Sequence, residues 1–193
     1  MSPRTTEQYE AIRKERSTAI LDAALYVFAE QGYHSSSVAA IAKRAGVSKG
    51  LLYNYFSSKE EVLKRLMHDL VDYALEVLEI EHMDQLTDER FEQIIAKSID
   101  IPLQQPQRWK LFMSLSMQQD VTELMLREVL GRFAPYMQAL STYFAAKGYD
   151  DPIAMMRVFS ALLDGVQMHC LLDPENFPAE KAKEFLIQQF VKQ

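Results

Sequence analysis

A compact group of polar side chains near residue 50 is the part of the sequence best suited to chemistry. Residues 48–54 read Ser-Lys-Gly-Leu-Leu-Tyr-Asn. On a short helix, the outward face of this stretch carries hydroxyls, an amide and one cation, at Ser48, Lys49, Gly50, Leu51, Tyr53 and Asn54. Groups of these kinds hydrogen-bond to base edges and to phosphate oxygens. The pattern therefore favours recognition of a nucleic acid.

Catalysis has no comparable support in the sequence. The four histidines, at positions 34, 68, 82 and 169, are scattered, and they have no metal-ligand spacing among themselves or with the single cysteine, Cys170. The sequence also lacks a P-loop, a dinucleotide-binding glycine motif and the nucleophile elbow of the hydrolases. We therefore expect neither an enzyme nor a bound metal or cofactor.

Two short helices must position the polar group. Apolar residues recur at helical spacing after a capping serine, Ser37, and Gly46 supplies the positive φ of a tight turn. A third helix then runs from Ser48 to about Tyr55. The residues predicted to be buried between these helices are Val38, Ile41, Ala42, Ala45, Val47, Leu52 and Phe56. The result is a helix-turn-helix over about 37–56, small enough to enter a major groove about 12 Å wide.

The rest of the chain is also helical in its periodicity. Helix starts are predicted by capping residues or early prolines at Ser58, Thr87, Pro106, Asp120, Asp151 and Pro178. We expect Pro102 to interrupt one helix, and a single long helix to run from Asp120 to near Gly148. Because no stretch alternates as a strand would, the predicted class is all-α with about nine helices.

The composition is that of a folded protein, and the distribution of charge allows one part of the chain to bind a polyanion. The chain has 193 residues, 48% hydrophobic and 25% charged, with a net charge of −6. Residues 1–60 carry eight Lys/Arg and six Asp/Glu, so the acidic excess lies in the remainder. The N-terminus has no apolar signal sequence, and no apolar run is long enough to cross a membrane. With one cysteine, a soluble, cytoplasmic protein without membrane contact is expected.

The segment 23–59 resembles the tetracycline-repressor (TetR) family of bacterial regulators. The resemblance lies in Phe28-Ala29-Glu30-Gln31-Gly32-Tyr33, Ala45-Gly46-Val47-Ser48-Lys49-Gly50, Leu52-Tyr53, Tyr55-Phe56 and Ser58-Lys59-Glu60. It implies a homodimer on palindromic double-stranded operator DNA, with a DNA-binding domain over residues 1–57. It also implies a ligand-binding and dimerisation domain over residues 58–193.

The same resemblance implies individual DNA contacts. Phosphate contacts fall on Ser37, Tyr53 and Lys59, and base-facing positions fall on residues 48–51 and on Asn54. For Tyr53 the alternative is an aromatic ring packed under the first helix. At Leu51 the family often has a hydroxyl, so contact with a thymine methyl is the alternative there.

Aromatic and methionine side chains between residues 105 and 170 suggest an apolar effector site. The predicted ligand-binding residues are Trp109, Phe112, Met113, Met137, Phe159 and Gln167. A stripe of this kind is also typical of an ordinary helical core. The function predicted is a ligand-responsive dimeric repressor that a small, largely apolar effector releases from its operator. The alternative is an all-helical interaction module that keeps the helix-turn-helix fold without binding an operator.

Overall fold

The structure is a computed structural model, and it describes residues 5–80, 83, 85–128 and 130–192. These residues form ten α-helices and one short 3-10 helix, Leu130–Phe133, with no strand among them. The α-helices are α1 (Thr6–Gln31), α2 (Val38–Arg44), α3 (Lys49–Tyr53), α4 (Lys59–Leu78), α5 (Asp88–Gln104), α6 (Pro106–Ser116), α7 (Gln119–Glu128), α8 (Ala134–Ala146), α9 (Pro152–Leu172) and α10 (Ala179–Phe190). The all-α class is confirmed.

Local capping chemistry sets most of these helix starts. The Ser37 hydroxyl accepts from the Ala40 N–H at 3.1 Å, and Thr87 and Asp151 cap α5 and α9 in the same manner. Each cap satisfies a backbone N–H that has no partner within its own helix. Because this chemistry acts over three residues, the sequence predicted these starts correctly.

The single long helix expected from Asp120 to Gly148 is instead broken into two. α7 ends at Glu128, the 3-10 helix follows, and α8 begins at Ala134. Pro135 lies in the first turn of α8, where its missing N–H costs no hydrogen bond. In the middle of a longer helix the same proline would remove a bond and clash with the preceding turn, so the chain restarts there.

Pro102 has the opposite outcome, because α5 continues through it to Gln104. A proline at position 102 cannot donate to the carbonyl of Ser98, four residues earlier. The Gln167 side chain of α9 supplies the missing donor, with Nε2 2.7 Å from that carbonyl oxygen. A hydrogen bond from a distant helix therefore compensates for the proline, and no local pattern could have predicted it.

The chain forms two compact units. The first comprises residues 5–70 and 111–128, and its core includes Ile20, Phe28, Ile41, Leu52 and Leu66, which are fully buried. The second comprises the described residues of 71–110 and 129–193. Its centre is a cluster of edge-packed rings, Phe91, Phe144, Phe159 and Phe190, with centroids 4.9–6.2 Å apart.

No helix among the described residues has the length and apolar character needed to cross a membrane.

Candidate nucleic-acid interface

The turn between α2 and α3 has the geometry of a helix-turn-helix. Gly46 has φ 67°, a left-handed conformation that a side chain would strain. The Val47 N–H donates to the Ala42 carbonyl at 3.0 Å, which closes the turn. The Ser48 hydroxyl then accepts from the Leu51 N–H at 3.0 Å and begins α3. The turn therefore orients a helix of only five residues without any ligand.

The side chains predicted to contact DNA on α2 and α3 form one accessible surface. Ser37, Ser48, Lys49, Gly50 and Asn54 are exposed, and Leu51 is half-buried. Tyr53 is 46% exposed, and the Lys49 ammonium lies 5.9 Å from the centre of its ring. Tyr53 is therefore not packed under α1, the alternative that the sequence left open. We call these residues of α2 and α3 the recognition surface.

Lys59, the remaining predicted phosphate contact, has its ammonium turned towards the connection between α1 and α2. Nζ donates to the carbonyls of Tyr33, His34 and Ser36 at 2.7, 3.1 and 3.0 Å. An ammonium has three N–H donors, so all of them are occupied. Partial burial lowers the pKa of this amine from its ordinary value. The structure thus gives the Lys59 ammonium three backbone partners, and its predicted contact with a DNA phosphate stays a prediction.

A second side chain fixes the same connection from the turn between α6 and α7. Gln118 Nε2 donates to the Phe28 carbonyl at 3.1 Å, and its Oε1 accepts from the Tyr33 N–H at 2.7 Å. His34 forms an ion pair with Asp120 beside it. Sequence reasoning missed Gln118, because a lone glutamine 85 residues away along the chain gives no periodic or motif signal.

The first unit also contains a groove of about 580 Å³ between α1 and α4. Its lining is charged with both signs and includes none of the predicted ligand-binding residues. Within it Arg65 and Asp69 are paired at 2.8 Å. The full lining is Glu10, Arg13, Lys14, Ser17, Thr18, Tyr55, Phe56, Glu61, Lys64, Arg65, His68 and Asp69.

The predicted effector residues have different environments. Phe159 is 1% exposed at the centre of the aromatic cluster, and the Gln167 amide is engaged by Ser98. The others are half-buried: Trp109, Phe112, Met113 and Met137. Phe112 and Met113 lie on the part of α6 that belongs to the first unit, and the other four lie in the second. The burial of Phe159 fits the alternative that the sequence left open, in which the aromatic and methionine side chains form an ordinary helical core.

The last helices expose apolar side chains that a monomer would leave in water. On α9, Ile153, Val158 and Leu162 are 58%, 50% and 43% exposed, and Leu172 is 67% exposed. Phe185 of α10 is 60% exposed. Val158 and Leu162 are four residues apart and lie on one face with the small residues Ala161 and Gly165 between and beside them. We call these side chains the apolar face of α9 and α10.

An exposed recognition helix in a helix-turn-helix, joined to a larger all-helical unit, defines the class of helix-turn-helix transcriptional regulators. Comparisons with known proteins agree. Residues 20–66 match the model of the bacterial regulatory proteins of the tetR family. The HTH-type transcriptional regulator BetI of Vibrio vulnificus is 26% identical over 187 residues, 93% of each chain.

Two further similar proteins have names that refer to fatty acids or their derivatives. The fatty acid metabolism regulator protein of Bacillus subtilis is 36% identical over 90 residues, 46% of each chain, so the match spans less than half of that relative. The transcriptional regulator FadR of Bacillus subtilis, solved with stearoyl-CoA, shares the fold with a TM-score of 0.64. It is 23% identical, and the match covers 90% of this chain and 97% of that one.

The chain is thus similar to the tetR family of bacterial regulatory proteins over residues 20–66, which contain the helix-turn-helix. It is a DNA-binding transcriptional regulator and not an enzyme.

Proposed function

We propose that the protein is a dimeric repressor that binds a palindromic operator through residues 1–57 and is released by an apolar effector bound within residues 58–193. The observation that carries this proposal is the recognition surface. Lys49, Tyr53 and Asn54 are accessible on a helix whose placement is fixed by its own caps and turn. A helix-turn-helix used only for packing would have no need to keep these side chains exposed.

Dimerisation is supported by the apolar face of α9 and α10. Exposed apolar side chains on these two helices carry a hydration cost that a two-fold contact between copies removes. Two helices from each protomer can close a four-helix bundle. A dimer also presents two recognition helices, which is what a palindromic operator requires.

The effector class is supported by the apolar character of the second unit and by the names of two similar proteins. One is called a fatty acid metabolism regulator, and another was solved with stearoyl-CoA. In the second unit, the half-buried Trp109 and Met137 supply flexible apolar surface. We therefore propose a long-chain acyl compound as the effector.

The Gln118 contacts offer a route from effector to DNA. α6 carries Phe112 and Met113 and ends at Ser116, two residues before Gln118. An effector that displaces α6 moves the turn that holds the α1–α2 connection, and α2 begins at the end of that connection. The effector must bind the displaced state more tightly, and about 1.4 kcal/mol of differential affinity gives a tenfold change in operator binding.

Operator binding is tested by fluorescence anisotropy on DNA from upstream of the protein's own gene, compared with random DNA at two salt concentrations. Lys49→Ala and Asn54→Ala should each lose about 1–3 kcal/mol on the operator and much less on random DNA. Lys181→Ala, an exposed cation on α10, is the control and should bind as the wild type does. Equal losses on both DNAs would contradict the base-reading role. No affinity for either DNA would favour the interaction-module alternative.

A further inference from the structure

Tyr136 on α8 holds a hydroxyl that is buried without a hydrogen-bond partner among the described residues. The residue is 8% exposed, and its hydroxyl oxygen is out of reach of solvent. Leaving a buried hydroxyl unpaired costs about 1–3 kcal/mol, so such groups are rare in folded proteins and call for an explanation. Burial also raises the pKa of this phenol, which keeps it protonated and able to donate.

Tyr143 provides a direct comparison on the same helix. It lies seven residues, or two turns, after Tyr136, on the same buried face, and is 7% exposed. Its hydroxyl donates to Asp88 Oδ1 at 2.7 Å. Within the part of the chain that the structure describes, one of these two buried tyrosine hydroxyls is thus paired and the other has no partner.

The surroundings of Tyr136 on α8 and α9 are apolar and carry little positive charge. α8 has no charged residue from Ala134 to Ala146, and α9 from Val158 to Leu172 adds Asp164 and the exposed His169. Arg132, one turn before Tyr136, is paired with Asp72. A ligand carboxylate brought here would meet no cation on these two helix segments, so a neutral oxygen is the better partner.

Helix register places Tyr136 level with one predicted effector residue, and another is its neighbour in the sequence. The rings of Phe144 and Phe159 pack 6.2 Å apart across the antiparallel pair of α8 and α9. Eight residues back along α8 and eight forward along α9 each advance about 12 Å, which brings Tyr136 level with Gln167. Met137, the next residue on α8, is half-buried. Tyr136 therefore lies at the same level of the second unit as the predicted effector residues Met137 and Gln167.

We propose that the Tyr136 hydroxyl donates a hydrogen bond to the neutral carbonyl oxygen of a bound acyl ester or thioester. This inference rests on the proposed function, since it names the residue that recognises the polar end of the effector chain. The bound carbonyl supplies the acceptor that the fold omits, whereas Tyr143 plays a purely structural part through Asp88. The aliphatic chain and the carbonyl are recognised separately.

The test compares Tyr136→Phe with Tyr143→Phe in the full-length protein. Without ligand, Tyr143→Phe should lower the melting temperature by about 2–4 °C, because it removes a made hydrogen bond. Tyr136→Phe should leave the melting temperature unchanged or raise it. A loss as large as that of Tyr143→Phe would show that the Tyr136 hydroxyl already has a partner, and would overturn the proposal.

Binding is then measured by calorimetry with three probes, stearoyl-CoA, its thioether analogue S-octadecyl-CoA, and free stearate. S-octadecyl-CoA has a methylene in place of the carbonyl. Tyr136→Phe should weaken stearoyl-CoA binding by about 3- to 10-fold and leave S-octadecyl-CoA binding unchanged. Tyr143→Phe should change neither beyond its effect on stability. Wild-type protein should bind stearate more weakly than stearoyl-CoA.

The outcomes separate this proposal from the one on which it rests. If the wild type binds stearoyl-CoA and releases its operator, but Tyr136→Phe weakens both CoA probes equally or neither, the Tyr136 assignment is wrong and the acyl effector stands. If the wild type binds none of the three probes, the acyl effector class is wrong and the assignment fails with it. Operator binding measured in the same samples shows that the protein is folded in either case.

Discussion

The recognition surface on α2 and α3 and the interior between α8 and α9 handle polar side chains in opposite ways. On the surface, Lys49, Tyr53 and Asn54 face solvent, while the caps and the glycine turn hold the backbone. In the interior, buried hydroxyls are few. The Tyr143 hydroxyl is fixed by Asp88, and the Tyr136 hydroxyl has no partner among the described residues. DNA is read by an accessible surface, whereas the proposed apolar effector would be bound by groups that the core has already desolvated.

The largest expected effect concerns the apolar face of α9 and α10, through which we propose that the protein dimerises. Leu162→Glu should produce a monomer. An isologous interface contains the substitution twice. A loss of roughly 2 kcal/mol of association free energy per copy therefore raises the dimer Kd by about a thousandfold. Sedimentation velocity at micromolar concentration checks this, with Tyr9→Glu on the exposed part of α1 as control. A dimeric Leu162→Glu protein would place the interface elsewhere.

A smaller effect is expected at Lys59, whose ammonium binds three backbone carbonyls of the α1–α2 connection. Lys59→Met removes three donors from the carbonyls of residues 33–36 and should lower the free energy of unfolding by about 2 kcal/mol. Operator affinity should fall, with the salt slope unchanged. Urea unfolding and anisotropy at several salt concentrations measure both quantities.

Lys49→Met is the matched substitution for Lys59→Met, since Lys49 is exposed and on the recognition surface. It should weaken operator binding without loss of stability. If instead Lys59→Met were fully stable and lowered the salt slope by about one, Lys59 would be the phosphate contact that the family resemblance implied.

The smallest expected effect lies at the proposed link between effector and DNA. Gln118→Leu removes one hydrogen bond to α1 and one to the α1–α2 connection, and it should weaken operator binding by about fivefold with base preference unchanged. It should also reduce the release caused by stearoyl-CoA. Gln119→Leu, an exposed neighbour in the first turn of α7, is the control in the same anisotropy titration. Full release by stearoyl-CoA in Gln118→Leu would argue against this route.

The same contrast explains what the sequence could and could not predict. Ser37, Gly46 and Ser48 act through bonds to residues three to five positions away, so the helix-turn-helix could be read from spacing alone. Lys59 and Gln118 act on backbone groups 23 to 90 residues away along the chain. Their partners follow from tertiary packing, which a periodic pattern does not encode.

The second unit was predicted less well for a related reason. Its apolar stripe is compatible with both a core and a ligand site, and only burial distinguishes Phe159 from its half-buried neighbours. Pro102 was expected to interrupt a helix because a proline inside a helix removes a backbone hydrogen bond. The donor that offsets this cost, on Gln167, comes from a helix 69 residues later in the chain.

The hydrogen bond from the Gln167 amide to the Ser98 carbonyl limits the motions that the second unit can make. Because the carbonyl of Ser98 has its partner on α9, sliding α9 along α5 by even one residue would strand that carbonyl in an apolar interior. The two helices are therefore expected to open together, as one cooperative unit in amide hydrogen exchange. Helices α5 and α9 are therefore unsuited to a gating movement. Their rigidity suits α9 to its proposed role in the dimer interface.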